Sequence, residues 1–220
     1  MLKGEKKLMD NNENNRIEIS GKIYSLCEFS HKVYGEGFYN FNIAVKRLSG
    51  SEDIIPITVS ERLFDSKDIY IGREIRISGQ VRSYNNYSGT RNHLVISVFA
   101  RELFYDDSKN ENITELNGFI CRRPVYRTTP MGREIADILV AVNRAYNKSD
   151  YIPCIVWGRN ARFAGRLEVG DNIKITGRIQ SRIYQKKTEE GSVEKTAYEI
   201  SVSKIEKLNN NTYEEKAITD

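Results

Sequence analysis

The stretch from Asp150 to Tyr184, DYIPCIVWGRNARFAGRLEVGDNIKITGRIQSRIY, sets flat aromatic rings among guanidinium groups. Tyr151 and the only tryptophan, Trp157, stand on an extended run. A basic segment follows from Arg159 to Arg166, and after a turn at Gly170-Asp171 a long strand ends in Arg182 and Tyr184. Rings exposed on strands give unpaired bases a surface to stack on, and arginines between them meet phosphates, so this pattern suits the holding of a single polynucleotide strand. Bond-breaking chemistry has no comparable support. There is no GxxxxGK[ST], no GxGxxG after a strand, no HExxH and no Ser/His/Asp set, and His31 and His93 stand alone. The expectation is therefore no enzyme, no cofactor and no metal. Cys27, Cys121 and Cys154 are odd in number and widely spaced in apolar, strand-like surroundings, which reads as three reduced, buried small hydrophobes.

Elements that could position these side chains are strands almost throughout. RIEISGKIYSL, GFYNFNIAVKRL, IIPITVS, EIRISGQVRSY and HLVISVFARELF alternate or carry β-branched and aromatic residues. Between the third and fourth lies ERLFDSKDIYIG, where Leu63, Phe64 and Ile69 have helical spacing. Five strands with a helix between the third and fourth is the order of the OB-fold, a Greek-key barrel whose face and loops bind oligonucleotides or oligosaccharides.

The second half repeats the first. Gly21 and Gly118 stand 97 residues apart, as do Ala44 and Ala141, and Pro56 and Pro153. The offset becomes 98 for Gly79 and Gly177 and for Ser83 and Ser181, and 104 for Ile96-Ser97-Val98 and Ile200-Ser201-Val202. The six added residues of the last step fall in the hairpin joining the final two strands. The expected architecture is all-β with one short helix per repeat: two tandem OB-fold, five-stranded Greek-key barrels at residues 16–107 and 113–208. A disordered arm (1–15), a polar linker (108–112) and a disordered tail (209–220) complete the chain. Gly118, Gly170 and Gly177 read as structural, serving turns or tight strand curvature.

Charge separates the repeats. Residues 16–107 hold twelve basic and twelve acidic side chains, whereas 113–208 hold seventeen basic and eleven acidic. The excess includes Arg122, Arg127, Arg133, Arg144, Arg178, Arg182, Lys186 and Lys187, candidate phosphate contacts whose binding would be salt-dependent and nearly sequence-blind. Stacking candidates follow the same division: Tyr146, Tyr151, Trp157 and Tyr184 correspond in the first repeat to Ser49, Ile54, Ser60 and approximately Tyr84. Trp157 and Tyr184 have polar or charged neighbours, which favours stacking over core packing. No apolar run approaches the ~18 residues of a membrane span, and MLKGEKKLMDNN lacks a secretory signal's apolar segment, so a cytoplasmic, nucleoid-associated location is expected.

Residues 113–208 resemble a bacterial single-stranded DNA-binding protein through NGFICRRPVYRTTPMGREIADILVAVNR, YIPCIVWGRNA, LEVGDNIKITGRIQSRIY and AYEISVSKIE; residues 16–105 resemble it more weakly through SGKI, FNIAVKR and GREIRISGQVRSY. The resemblance implies single-stranded DNA binding with little sequence preference in replication, recombination or repair. It carries the family's stacking positions to Tyr146, Tyr151, Trp157 and Tyr184, with tyrosine for tryptophan at most of them. It also implies four barrels per assembly, which two barrels per chain would reach as a homodimer. The family's long Gly/Pro/Gln-rich tail with an acidic, aromatic tip has no counterpart in YEEKAITD, so tail-mediated recruitment of other proteins is not expected. The alternatives are a protein-interaction module of a replication or plasmid-transfer complex, favoured by the neutral first barrel, and an RNA-binding OB protein.

Overall fold

The computed structural model describes residues 14–65, 67–86, 93–105, 110–188 and 191–208. Most of the expected arm (1–13), part of the linker (108 and 109) and the tail (209–220) lie outside them. The first repeat contributes β1 (Asn15–Ile23), β2 (Glu28–Val33), β3 (Glu36–Lys46), β4 (Glu52–Ser60), β5 (Glu74–Asn86) and β6 (His93–Phe104). The second contributes β7 (Asn112–Ile120), β8 (Val125–Thr128), β9 (Glu134–Arg144), β10 (Lys148–Trp157), helix α1 (Gly158–Ala164), β11 (Asn172–Thr188) and β12 (Gly191–Lys207).

Strands run in the order β2-β3-β4-β6-β5-β1-β7-β11-β12-β10-β9-β8, and the extra pairings β1 with β3 and β7 with β9 close each half into a barrel. In each barrel one pair is parallel, β4 with β6 and β10 with β12, as the Greek-key path requires. Two OB barrels result, each carrying a sixth strand, β2 or β8, at its edge. The expected five-stranded barrel is present in each repeat, and the sixth strand is an addition at its edge. Every residue of β2 and β8 is exposed, so neither has the buried face that writes alternation into a sequence.

The first repeat also departs from its expected helix. Only a 3-10 turn forms, at Glu61–Leu63, with Ser60 Oγ accepting from the Arg62 N–H, and the chain is extended again at Phe64. Asp65 then takes the Lys67 N–H at 3.1 Å, so short polar side chains offer the backbone local partners in place of a helical ladder. Leu63 and Phe64 still pack on the core, and Ile69 is buried. The periodicity marked contacts rather than a helix.

Inward positions are mostly isoleucine and valine: Ile17, Ile19, Ile75, Ile77 and Val98 in the first barrel, and Leu116, Ile173, Ile175, Ile179 and Ile200 in the second, all essentially inaccessible. Barrel corners depend on glycine. A Cβ on Gly118 would stand 2.4 Å from the Ala141 carbonyl oxygen, and one on Gly177 2.5 Å from that of Ser201. Gly118→Ala should therefore lower stability by about 1–3 kcal/mol through forced strand separation. A urea midpoint equal to wild type would contradict that close approach.

The hairpin register corrects the repeat alignment. Gly79 pairs with Ala100, and Gly177 with Val202, so the last strands are offset by 102 rather than 104, and four residues are added instead of six. Val98 thus corresponds to Ile200, Phe99 to Ser201 and Tyr84 to Arg182, while Tyr184 corresponds to Asn86. Sequence could not expose the error, because a slip of two residues returns every side chain to the same face.

The barrels join at β1 and β7, whose register runs from Asn15↔Leu116 to Ile19↔Asn112 and centres on Ile17↔Thr114. Residues 17 and 114 differ by the repeat offset of 97, so exchanging the repeats maps this pairing onto itself. One chain therefore contains a pseudo-two-fold dimer of barrels. The symmetry extends to two buried carboxylates. Asp53 accepts from the Ser181 N–H (2.7 Å), the Ser181 hydroxyl (2.9 Å) and both Nε and Nη2 of Arg47, and Arg47 also donates to the Ser181 carbonyl at 2.8 Å. Its repeat partner Asp150 accepts from the Ser83 N–H (2.7 Å) and from Arg82 Nη1 (2.9 Å), with Arg144 Nη1 at 3.5 Å. At the centre of the seam the buried Thr114 hydroxyl has no hydrogen-bond partner among the described residues. Thr114→Val should raise stability by about 1 kcal/mol, because it removes a desolvated, unsatisfied group at nearly constant shape. Loss of stability on that change would mean that the hydroxyl is satisfied in solution.

Candidate nucleic-acid interface

In β10, Ile152, Cys154 and Val156 enter the core, while on the other side Tyr151 and Trp157 remain 46% and 38% exposed with Ile155 buried between them. Ladder partners decide which side chains share that outer face. Trp157 pairs with Ile135, and Ile135 with Arg127, so Arg127 of β8 lies on it. Ile155 pairs with Ser201, and Ser201 with Arg178; two and four residues further along β11, Gln180 and Arg182 pair with Glu199 and Ala197, followed by Tyr184 with Lys195. Tyr151, Trp157, Arg127, Arg178, Arg182 and Tyr184 therefore stand on one face.

Local bonds hold these groups without burying them. Trp157 Nε1 donates to Ser201 Oγ at 3.2 Å, which fixes the ring across β12. Gly158, at φ +57°, then lets the chain leave the strand for α1 directly after the ring. The Arg182 guanidinium lies 5.7 Å from the Tyr184 ring centroid and 3.8 Å from Glu199 Oε1, and Arg127 Nε donates to Asp137 at 3.0 Å. Each keeps substantial exposure, so these pairs orient the cations without neutralising them deeply.

Other expected residues lie elsewhere. Tyr146 is 94% exposed at the tip of the β9–β10 hairpin, with φ +60°. Arg122 and Arg133 are exposed in the loops on either side of β8. Lys186 and Lys187 continue β11, but their side chains lie outside the described residues. Arg144 corrects its expectation: half-buried, it faces the inaccessible Asp150 and serves the seam. Among the thiols only Cys154 is buried, and Cys27 and Cys121 are half-buried; burial pushes all three above the ordinary thiol range, so they remain protonated. Among the described residues no cluster of His, Cys, Asp and Glu could hold a metal ion, and no helix is long and apolar enough to cross a membrane.

Sequence reading passed over a groove beside Trp157, lined by Thr128, Gly132, Arg133, Glu134, Gly158 and Arg162. Arg162 Nε donates to both oxygens of Glu134 (2.8 and 2.7 Å), and the Tyr126 hydroxyl donates to Oε1 at 2.6 Å. Those bonds, Tyr126 first and Arg162 second, hold the Glu134 carboxyl below its ordinary range. The basic run from Arg159 to Arg166 was the available signal; its helical phase, which turns Arg162 toward β9, was not.

The fold and this face define a tandem OB-barrel protein with an open, cationic, ring-bearing sheet on its second barrel. Residues 111–208 match the single-strand binding protein family. Over 98 residues the chain is 34% identical to the single-stranded DNA-binding protein of Oceanobacillus iheyensis, covering 41% of this chain and 58% of that one. It is 36% identical over 81 residues to single-stranded DNA-binding protein 1 of Staphylococcus aureus, covering 34% and 48% respectively. The chain thus spans about half the length of the curated relatives it matches. The whole two-barrel architecture is shared with the wild-type single-stranded DNA binding protein from Thermus aquaticus, with a TM-score of 0.69, 17% identity and coverage of 89% of this chain and 93% of that one. Over its second barrel the chain is thus similar to the single-strand binding protein family.

Proposed function

We propose that this protein binds single-stranded DNA with little sequence preference, in replication, recombination or repair, and does so without catalysis. One observation carries the reading: strand register gathers Tyr151, Trp157, Tyr184, Arg127, Arg178 and Arg182 on a single solvent-facing sheet. The rings stack on bases, with Tyr146 extending the track at the hairpin tip. Arg122, Arg127, Arg133, Arg178, Arg182, Lys186 and Lys187 contact phosphates. The relatives' names support the ligand class, and the pseudo-dimeric chain supports assembly as a homodimer of four barrels in the cytoplasm.

Trp157 is the sole tryptophan, so emission reports directly on this face. Titration with dT oligomers should quench it. Affinity should fall steeply with salt, with a log–log slope of roughly −3 to −5 for about five to seven phosphate contacts. Matched RNA and duplex DNA serve as competitors. Unchanged emission at saturating dT, or duplex binding as tight as single strand, would overturn the assignment.

A further inference from the structure

The outer face of the first barrel is not empty of rings; they stand on different strands. Its counterparts of Tyr151, Trp157 and Tyr184 are Ile54, Ser60 and Asn86, yet Phe38, paired with Ser60, and Phe99, the counterpart of Ser201, both lie on that face. His31 stacks on Phe38 with centroids 5.1 Å apart and planes 14° apart, and Phe38 meets Phe99 at 5.9 Å. Arg82 stands 6.0 Å from the Phe99 centroid. Here the aromatic has moved one strand across the sheet, from β4, the equivalent of β10, to β6.

Beside this ladder is a groove of about 320 Å³ lined by Asn40, Asn42, Pro56, Thr58, Tyr84 and Ser97, with Glu28 on its rim. Thr58 Oγ1 lies 3.0 Å from Asn40 Oδ1 and 3.4 Å from Ser97 Oγ, which makes a neutral polar row across β3, β4 and β6. Tyr84 is 52% exposed at one end of the groove. Among the described residues no cation lines it, and Glu28 would repel phosphate, so the chemistry suits bases and sugars: flat faces for stacking, amides and hydroxyls for hydrogen bonds. The two barrels touch near this end of the groove, where the Tyr151 N–H donates to Ser83 Oγ at 2.7 Å, one residue before Tyr84.

Resting on the reading of the second barrel as a single-strand site, we infer that the first barrel is a second segment of the same strand path, one that holds bases through Phe38, Phe99, Tyr84 and the Asn40–Thr58–Ser97 row and makes few phosphate contacts. The strand crosses the seam from Tyr151 to Tyr84. Binding therefore has two parts, a salt-sensitive one on the second barrel and a salt-resistant one on the first.

The test measures the affinity of full-length protein for long dT oligomers from low to high NaCl, together with Trp157 quenching. Three variants are compared: Tyr84→Ala/Phe99→Ser, which copies the serine of the second barrel; Asn40→Ala, an exposed change that leaves the core untouched; and Arg178→Ala/Arg182→Ala. The first should lose about tenfold or more in affinity at high salt with an unchanged salt slope, and the second should lose less in the same sense. The arginine variant should flatten the slope by about one to two units. Wild-type affinity at high salt for both first-barrel variants, with quenching intact, would overturn this inference and leave the second-barrel site standing. Absence of quenching and binding in the wild type would overturn the second-barrel reading and this one with it.

Discussion

Replacing Trp157 and Tyr184 together by alanine is expected to weaken single-strand binding by roughly 30-fold to about 10⁴-fold, since each stacked base contributes about 1–3 kcal/mol. Both rings are partly exposed on the same face, and neither belongs to the buried core, so the loss should be read in affinity rather than in folding. Tyr84→Ala is the appropriate comparator. It removes one ring from the neutral barrel, where no arginine row supplies a second source of attraction, and should cost about tenfold. Anisotropy with a labelled dT oligomer measures all three proteins, and thermal melting confirms that they are equally folded. Equal losses for the double and the single variant would remove the asymmetry between the barrels.

That asymmetry was visible in composition, but its form was not. Charge counts located the excess of arginine, and the period-two pattern identified the strands that display Tyr151 and Trp157. The same pattern cannot say which of two aromatic residues in a barrel faces out. Nothing in the sequence marks Phe38 and Phe99 as outward, because phenylalanine is usually buried. Only the ladders Phe38↔Ser60 and Gln80↔Phe99 place them outside. The edge strands β2 and β8 were illegible for the opposite reason, having no buried side at all.

The seam was hidden more deeply. Asp53 and Asp150 recur at the repeat offset, but an isolated aspartate near a hairpin looks like a turn residue, and nothing local reveals a partner more than sixty residues away. Arg144 was misjudged on the same account. A cation is read as surface until its buried carboxylate is seen, and burial of that carboxylate is a property of two barrels rather than of one strand.

Asp53→Ala should therefore be among the most destabilising single changes in the protein, at about 3–5 kcal/mol, because it leaves the half-buried Arg47 uncompensated and the Ser181 N–H without its acceptor. Asp150→Ala tests the symmetric lock. Burial pushes the Asp53 carboxyl up, but the Arg47 guanidinium and the two Ser181 donors outweigh it and hold the group below the ordinary carboxylate range. The unfolded chain, with Asp near 3.9, then binds the proton more readily than the folded one. The stabilisation from Asp53 is complete above about pH 4 and is lost as pH falls through the lower folded value. Wild type should lose stability over that acidic window, and Asp53→Asn, which has no proton to bind there, should lose less. The comparison is made by urea unfolding at pH 7 and below pH 4. Parallel acid losses in the two proteins would show that Asp53 is not the group linking the seam to pH, and a midpoint for Asp53→Ala close to that of wild type would show that the barrels do not depend on this contact to stay joined.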